Sequence, residues 1–241
     1  MQQEWLPENV KNNISFEVPV EKICIAIDGP AGAGKSTIAK IVADRLGYKY
    51  LDTGAMYRAV CWAARSHNIS YTDEPGLENI VKQLQLKLDY SAGVTEVFID
   101  SRNITSEIRS LDISNAVPVV AQSASVRRAL VALQQRLSSS GGVVMDGRDI
   151  GTVVLPNAEL KIFLTATVDE RAERRWLELH NSGVTIELAE LKKNIEDRDF
   201  IDSNRAISPL SKAIDAIEID TTSMSIAEVS DKICSLCEAV C

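Results

Sequence analysis

The sequence has few of the residues that define several common functional classes. Its two histidines, His67 and His180, lie outside any motif, so a histidine-dependent catalytic route is not expected. Its five cysteines are an odd number, which gives no even disulfide framework and favours a reducing compartment. Cys234 and Cys237 have no second C-x-x-C or neighbouring histidine to complete a zinc set. With Cys241 they fall on one helical face, so we interpret them as small packed side chains.

Long apolar runs and an excess of positive charge are also absent. No run of 18 apolar residues occurs, so no membrane-spanning helix is expected. Residues 1–21 lack the basic start and apolar middle of a signal peptide and are predicted to be a tail before the first strand. Lys and Arg number 26 against 34 Asp and Glu, which argues against a nucleic-acid or anionic-membrane surface. We therefore expect a cytoplasmic protein that concentrates its few cations locally.

The most informative stretch, residues 23–37, reads I-C-I-A-I-D-G-P-A-G-A-G-K-S-T. Residues 23–27 are apolar and rich in β-branched side chains, which is typical of a buried strand in a parallel sheet. The following residues match G-x-x-x-x-G-K-[ST] in full, a loop whose backbone N–H groups surround phosphates. Lys35 can reach the β and γ phosphates, and the Ser36 hydroxyl can ligate Mg²⁺. The predicted triphosphate-binding residues are Gly29, Pro30, Ala31, Gly32, Ala33, Gly34, Lys35, Ser36 and Thr37.

The 241 residues suffice for one large α/β domain with insertions. A helix is predicted over 35–46, a strand over 48–51, and a second helix to about residue 67 with Arg58 near its start. Short alternating strands in 72–125 do not fit a doubly wound sheet, so this region is predicted to be an inserted subdomain with antiparallel strands. The next helix, 125–138, carries Arg127 at its N-terminus, where a cation opposes the helix dipole; this suggests a purpose other than helix stability.

A second chemical site follows the predicted strand 143–145. Asp146 lies at the carboxyl end of that strand, where P-loop proteins hold a carboxylate near Mg²⁺. Arg148 and Asp149 follow at once, and charged residues placed against a strand end favour a functional interpretation. The sequence therefore predicts that Ser36 and Asp146 form a magnesium site.

Two helices near the C-terminal third could form a closing lid. Thr167 and Glu170 predict a capping box for the first helix, whose cations Arg171, Arg174 and Arg175 cluster on one side. These three arginines are interpreted equally well as a solvated face, with Glu170 and Arg174 paired, or as a phosphate clamp. After a break at residues 182–183, the second helix spans about 186–204. Its stripe of Arg198, Asp202 and Arg205 could bring charge to a transferring phosphoryl group.

Four segments, in order and at this spacing, resemble the bacterial type of cytidylate kinase, a nucleoside monophosphate kinase. They are D-G-P-A-G-A-G-K-S-T, D-T-G-A-M-Y-R, D-G-R-D-I-G-T and D-S-N-R-A-x-S-P-L, and the resemblance covers about residues 22–240. It implies a P-loop α/β fold with a five-stranded parallel sheet, an inserted monophosphate-binding subdomain at about 72–125, and a helical lid at about 171–205. The implied reaction is phosphoryl transfer from ATP, with Mg²⁺, to CMP or dCMP, and the implied state is a monomer.

The resemblance also implies individual roles. The phosphates would be held by Arg58, Arg148, Arg198 and Arg205, the last three of which, with Lys35, would be catalytic. The cytosine edge would be read by Arg127 and Asp149, and the ribose hydroxyls would bind Asp202. Thr53 would lie near the bound monophosphate, and Arg174 would contact ATP. One position departs from the pattern: where some relatives have a base-contacting serine, this chain has Pro118, which cannot donate a side-chain hydrogen bond.

Two alternatives remain open at the level of sequence. A kinase for another small acceptor, such as UMP, AMP or a hydroxylated metabolite, would need a different pocket pattern in place of Arg148-Asp149 and Asp202-x-x-Arg205. A nucleotide-dependent switch would bind a triphosphate without an acceptor. For GTP it would need an N-K-x-D motif, which the sequence does not contain.

Overall fold

The computed structural model describes residues 22–91, 93–181 and 183–240. The predicted tail at 1–21, Ser182 of the predicted break and Cys241 lie outside the described residues. Within them the strands are β1 Cys24–Asp28, β2 Lys49–Asp52, β3 Leu86–Ser91, β4 Val94–Ile99, β5 Arg102–Asn103, β6 Val143–Gly147, β7 Leu160–Thr165 and β8 Ile217–Asp220. The α-helices are α1 Lys35–Leu46, α2 Thr53–Ser66, α3 Glu74–Gln83, α4 Leu111–Val120, α5 Ala124–Ser138, α6 Val168–Asn181, α7 Leu188–Asn204 and α8 Ile226–Glu238.

Five strands form a parallel sheet in the order β2-β6-β1-β7-β8. The strand β1 lies at its centre, paired with β6 on one side and β7 on the other. The β1–β6 register runs from Cys24 opposite Val143 to Asp28 opposite Gly147. Because parallel strands end at the same edge, the phosphate loop after β1 and the charged turn after β6 start side by side.

Helices cover both faces of this sheet, as its continuous apolar strands require. On one face Ile25 and Ile27 pack with the buried sides of α1 and α8. On the other face Ala26 and Met145 pack against the segment after β6 and against Val131 of α5. The resulting architecture is the predicted five-stranded α/β fold.

The predicted antiparallel strands in the inserted region are present. Strands β3 and β4 pair antiparallel, and β5 adds two residues at the edge of β4. Their buried side chains, with Leu77 of α3, share one hydrophobic core with α2 and α5. The segment Leu111–Val120 of this region is the helix α4 and contains the buried Pro118. Burial of its apolar side chains outweighs the weak helix propensity of its valines and proline.

The caps of α1 and α8 are well formed. Helix α1 has the predicted bounds, and Gly47 caps it in the left-handed conformation with φ 65°. Helix α8 begins with a complete capping box between Ser225 and Glu228.

The capping box predicted at Thr167 is only half formed. The Thr167 hydroxyl accepts from the Glu170 N–H at 3.3 Å, but the Glu170 carboxylate binds Arg174 at 2.8 Å. The Thr167 N–H donates to the hydroxyl of Thr222 instead, at 3.1 Å. A nearby guanidinium thus outcompetes the local backbone N–H for the carboxylate.

The cysteines of α8 are packed side chains, as interpreted. Cys237 is buried and Cys234 is half-buried on the face that meets α1. Among the described residues, no single helix is long and apolar enough to span a membrane; the bent pair α4 and α5, at 101°, meets the length and composition test together.

Candidate active site

The phosphate loop joins the end of β1 to the start of α1. Gly29, at φ 147°, packs so closely on β7 that an added Cβ would lie 2.0 Å from the carbonyl oxygen of Leu164. Gly34 precedes α1 at φ 82°. Both positions therefore require glycine, which bends the chain so that its N–H groups face one concavity.

The remaining loop residues are fixed by different contacts. Ala33 is buried, whereas Ser36 and Thr37 stand exposed in the first turn of α1, where unpaired N–H groups favour anions. The carbonyls of Pro30 and Ala31 accept from Lys35 Nζ at 2.6 Å and Arg171 Nη1 at 2.9 Å respectively. The two cations thus fix the backbone of the loop.

Lys35 lies against the charged turn that follows β6. Burial lowers the pKa of Lys35 well below its usual range, Arg148 and Arg198 lower it further, and Asp146 opposes them. Both guanidinium groups therefore lie within electrostatic range of the phosphate loop. Lys35 and two of the arginines predicted to hold the acceptor are thus neighbours in the fold.

Ser36 and Asp146 are brought together as predicted. The Ser36 Oγ donates to Asp146 Oδ2 at 2.7 Å, and Tyr50 Oη donates to the other carboxylate oxygen at 2.8 Å. Burial raises the pKa of Asp146, and the neighbouring Asp52 adds to this, while Lys35 opposes it. A hydroxyl and a carboxylate are hard oxygen donors, which suits a Mg²⁺ that also keeps water and substrate phosphates as ligands.

Near Lys35, arginines and aspartates form a charged cluster in two parts. In the first, Asp149 accepts a hydrogen bond from Arg127 and pairs with Arg205 at 3.6 Å. In the second, Asp202 binds Arg148 Nε at 2.8 Å and lies 3.9 Å from Arg198 Nε. Although burial disfavours the ionised form, Arg148 and Arg198 hold the pKa of Asp202 below its usual value. The sequence stripe on α7 and the turn after β6 therefore meet in space.

Arg58 joins this cluster from the other side. Its Nη2 pairs with Asp52 at 3.0 Å, and Asp52 also caps α2 by accepting from the Ala55 N–H. The charge of Arg58 also affects Arg198. Desolvation lowers the pKa of Arg198 to about 10, Arg148 contributes next, and Arg58 has a smaller effect in the same direction. Thr53 is buried beside it, and its hydroxyl donates to the backbone oxygen of Asp146 at 2.6 Å.

The cluster has more positive charge than its own acceptors neutralise. It holds five guanidinium groups and three carboxylates. Among the described residues, buried guanidinium nitrogens without a hydrogen-bond partner occur in Arg58, Arg127, Arg198 and Arg205. Buried donors are normally satisfied, so this surplus indicates a site for an anion.

Asp28 is a site residue that sequence reasoning missed. It ends β1, is only 4% exposed, and accepts from the N–H groups of Ile150 and Gly151 at 2.8 and 2.7 Å. These bonds attach the segment that directly follows Arg148 and Asp149, a π-helical turn over Ile150–Val154, to the strand that starts the phosphate loop. The sequence signals were a carboxylate at the buried end of an apolar strand and its place at the start of the segment D-G-P-A-G-A-G-K-S-T.

We expect Asp28 to make stability depend on pH. Burial raises the pKa of Asp28 to about 6 against the opposing backbone hydrogen bonds, with Asp149 and Lys35 as its charged neighbours. The folded state therefore holds this proton at a higher pH than the unfolded state, so the contribution to stability falls as pH rises. Between pH 5 and 7 the free energy of unfolding of the wild type should fall by about 1 kcal/mol relative to Asp28→Asn. Chemical denaturation across this range measures it, with the exposed Asp89→Asn as control; parallel curves for wild type and Asp28→Asn would contradict it.

The three cations of α6 do not act as one set. Arg171 is buried and pairs with Asp199 of α7, whereas Arg175 pairs with Glu178 at the surface. Arg174 pairs with Glu170, the interpretation that competed with a phosphate clamp, and also donates to the hydroxyl and backbone oxygen of Thr221. Its Nη1 nevertheless lies close to the loop, 4.0 Å from the position of a Cβ on Gly34.

The unfavourable cation at the start of α5 also has an explanation. Arg127 is buried and directed at Asp149, while its neighbour Arg128 is exposed. The Arg127 guanidinium lies over the ring of Tyr57 at 5.9 Å, a cation–π contact. Tyr57 and Tyr50 were not predicted as site residues, although Tyr57 lies within the segment D-T-G-A-M-Y-R.

A parallel sheet, a phosphate loop with its lysine, and a facing cluster of arginines with spare donors define a P-loop phosphotransferase. Residues 25–239 match the cytidylate kinase family. The chain belongs to the cytidylate kinase family.

Individual relatives agree with this assignment. The chain is 56% identical over 218 residues to a cytidylate kinase of Listeria monocytogenes serotype 4a, covering 90% of this chain and 97% of the relative. It is 53% identical over 213 residues to a cytidylate kinase of Bacillus subtilis strain 168, covering 88% and 95%. A solved shikimate kinase from Acinetobacter baumannii, in complex with shikimate, superimposes with a TM-score of 0.46 and 15% identity, covering 90% of this chain and 94% of that one. The family assignment rests on the sequence matches.

Proposed function

We propose that this chain transfers the γ-phosphoryl group of ATP to CMP or dCMP and releases ADP with CDP or dCDP. The observation that carries the proposal is the surplus of buried arginine donors in a cluster whose members Arg148 and Arg198 act electrostatically on Lys35 of the phosphate loop. Membership of the cytidylate kinase family supports the choice of acceptor. Asp149 and Asp202 are built into the arginine cluster, which gives it acceptors for base and ribose as well as donors for phosphate.

On the donor side, we assign the triphosphate to the loop at 29–37, with Lys35 on the β and γ phosphates and Arg174 at the edge of the ATP site. Ser36 and Asp146 would hold Mg²⁺, which would neutralise charge that develops on the phosphates. The Tyr50 hydroxyl fixes the Asp146 carboxylate in that position.

On the acceptor side, we assign the monophosphate to Arg58, Arg148, Arg198 and Arg205, with Thr53 close by. The cluster has two guanidinium groups more than carboxylates, which suits a phosphate with nearly two negative charges at pH 7. Arg127 and Asp149 would read the cytosine edge, and Asp202 would accept from the ribose hydroxyls. Pro118 is buried in α4 and offers the base no side-chain donor.

The chemistry needs positioning and positive charge more than it needs a base. The attacking group is a phosphate oxygen that is already ionised near neutral pH, since the second pKa of a phosphate monoester is about 6. Transfer through a loose transition state spreads charge over the equatorial oxygens, where the guanidinium groups of Arg148, Arg198 and Arg205 can stabilise it. The three arginines, with Lys35, would therefore be the catalytic residues.

We also assign the two accessory regions. The elements within 72–125 would form the monophosphate-binding subdomain, and the hairpin of α6 and α7 within 171–205 would form the lid that excludes water. We further propose a monomer in the cytoplasm, a compartment that suits the four described cysteines, which form no disulfide with one another.

A coupled assay of ADP release with ATP and Mg²⁺ tests the function. CMP, dCMP, UMP, AMP, GMP and TMP are offered in turn as acceptors at equal concentration. We expect CMP and dCMP to have the highest kcat/KM. Release with none of the six would overturn the kinase proposal, and a preference for UMP or AMP would overturn the cytidylate assignment.

Replacing Asp149 should relax the choice of base. Asp149→Asn removes a charged acceptor, so the preference for CMP over UMP in kcat/KM should fall roughly 10- to 100-fold, the value of one lost charged hydrogen bond. Asp149→Ala should relax the preference as well, although it leaves Arg127 without its buried partner and is expected to be less stable. The KM for ATP should change much less in both variants. Unchanged selectivity in a folded Asp149→Asn protein would rule out the reading role.

A further inference from the structure

Arg171 of α6 connects three parts of the molecule through one buried guanidinium group. It is only 4% exposed. Its Nε donates to the backbone oxygen of Ala166 at 3.0 Å, which fixes the side chain against the end of β7. Its Nη1 donates to the backbone oxygen of Ala31 at 2.9 Å and pairs with Asp199 Oδ2 of α7 at 2.6 Å. One nitrogen therefore bridges the phosphate loop and the second lid helix.

The loop end of this bridge is held tightly. Gly32 follows Ala31 at φ 78°, and an added Cβ there would lie 3.1 Å from Arg171 Cβ and 3.2 Å from its carbonyl oxygen. The loop backbone thus packs directly on Arg171 as well as bonding to it. A change in the loop backbone on binding phosphates must therefore displace the Arg171 side chain, because close-packed interiors have low compressibility.

The other end of the bridge belongs to the helix that carries the acceptor arginines. Asp199 directly follows Arg198 and lies three residues, about one helical turn, before Asp202. A shift of Asp199 along or around α7 therefore moves both of these residues. Asp199 is thus placed to position the acceptor cluster without belonging to it.

The pair is a poor device for stability alone. Asp199 Oδ1 is buried and has no hydrogen-bond partner, so the carboxylate is only half satisfied. Buried ion pairs gain little net stability after desolvation, and incompletely bonded ones gain least. By contrast, the Lys192–Asp169 pair, which also joins the two lid helices, is exposed and does not touch the phosphate loop.

We propose that the Arg171–Asp199 pair couples the two nucleotide sites, with Arg171 as a positioning residue that transmits occupancy of the phosphate loop to α7. This inference rests on the function proposed above. Phosphates on the loop hold Ala31 and Arg171 in place, Arg171 holds Asp199, and α7 then presents Arg198 and Asp202 to the acceptor. Linkage requires the effect to be reciprocal, so bound CMP must raise the affinity for the donor by the same factor.

Calorimetric titration of CMP, alone and with a saturating non-hydrolysable ATP analogue and Mg²⁺, tests the coupling. In the wild type the analogue should lower the Kd of CMP by about fivefold or more, the lower limit of a typical coupling. In Arg171→Lys and Asp199→Asn this ratio should fall below twofold, with the double variant no lower, while the Kd of CMP alone stays within about threefold of the wild type. Lys192→Arg and Asp169→Asn, the exposed pair that also joins α6 to α7, should keep the wild-type ratio.

The outcomes separate the two proposals. If the wild type does not bind CMP, the proposed function fails. If it binds CMP but the analogue does not tighten binding, or if the folded variants keep the wild-type ratio, the coupling is overturned while the function stands. Asp199→Asn preserves the shape and one acceptor oxygen of the side chain. If Arg171→Lys does not fold, the ratio measured with Asp199→Asn therefore tests the coupling by itself.

Discussion

Replacing Lys35 by alanine is expected to lower kcat by about 1,000-fold or more, to the limit of detection. Its ammonium group is buried in the phosphate loop, with Pro30 as its hydrogen-bond partner and Arg148 and Arg198 nearby. Asp146 and Asp28 offset part of this positive charge, and a ligand with several negative charges would compensate the rest. In the variant, the β and γ phosphates would lack the positive charge of Lys35 as they separate in the transition state, where its stabilising effect is largest.

The same change should not unfold the protein. Burial and two neighbouring cations disfavour the Lys35 charge, so removing it relieves an electrostatic cost of the ligand-free state. Single-turnover measurements of ADP formation, with thermal unfolding as the test of folding, follow both effects. Lys49→Ala, an exposed lysine on β2, serves as control and should retain full activity. A folded Lys35→Ala enzyme with a tenth of the wild-type kcat would refute the assignment.

Loss of Arg198 is the second change for which a large effect is expected. Arg198→Ala should lower kcat by about 10³- to 10⁵-fold, equivalent to roughly 4 to 7 kcal/mol of transition-state stabilisation, as for other arginines that contact a transferring phosphoryl group. Arg198 has only a distant ion pair, 3.9 Å from its Nε to Asp202, and that nitrogen has no hydrogen-bond partner. Its pKa of about 10 leaves it charged at neutral pH, so the group is available for a ligand.

Arg198→Lys should recover little of this activity. A lysine keeps the charge but loses the planar fork that binds two phosphate oxygens at once. Steady-state kcat and KM for both nucleotides measure the loss, with the exposed Arg128→Ala as control. Because Arg198 contributes little to the packing of the ligand-free protein, the melting temperature should change by only a few degrees. An Arg198→Lys enzyme with activity within about tenfold of the wild type would show that charge alone suffices at this position.

The phosphate loop and the strand before it could be predicted from the sequence because their physics is local. Contiguous residues set the positive φ values of the glycines, the positions of Lys35 and Ser36, and the start of the following helix. Likewise, Asp146, Arg148 and Asp149 were identifiable from their place after an apolar strand, since parallel strands align their carboxyl ends.

The long-range partners of the arginines on α6 could not be predicted, because they come from distant parts of the chain. Arg171 and Arg174 occupy neighbouring turns of one helix, yet one is buried between the phosphate loop and Asp199 and the other donates to Thr221. Periodicity places both on the same side of a helix, but it does not say what packs there. The helix α4 was missed for a related reason, since tertiary burial overrides the low propensity of its residues.

The sequence by itself determined the phosphate loop, the parallel sheet and the charged turn after β6, because each follows from a short pattern whose chemistry does not depend on distant residues. Only the tertiary structure decided which arginine meets which carboxylate, which donors are left for a ligand, and that Asp28 and Arg171 hold the site together. The physical reason is that the pairing and desolvation of a charge depend on every element around it, and those elements are neighbours only in the folded chain.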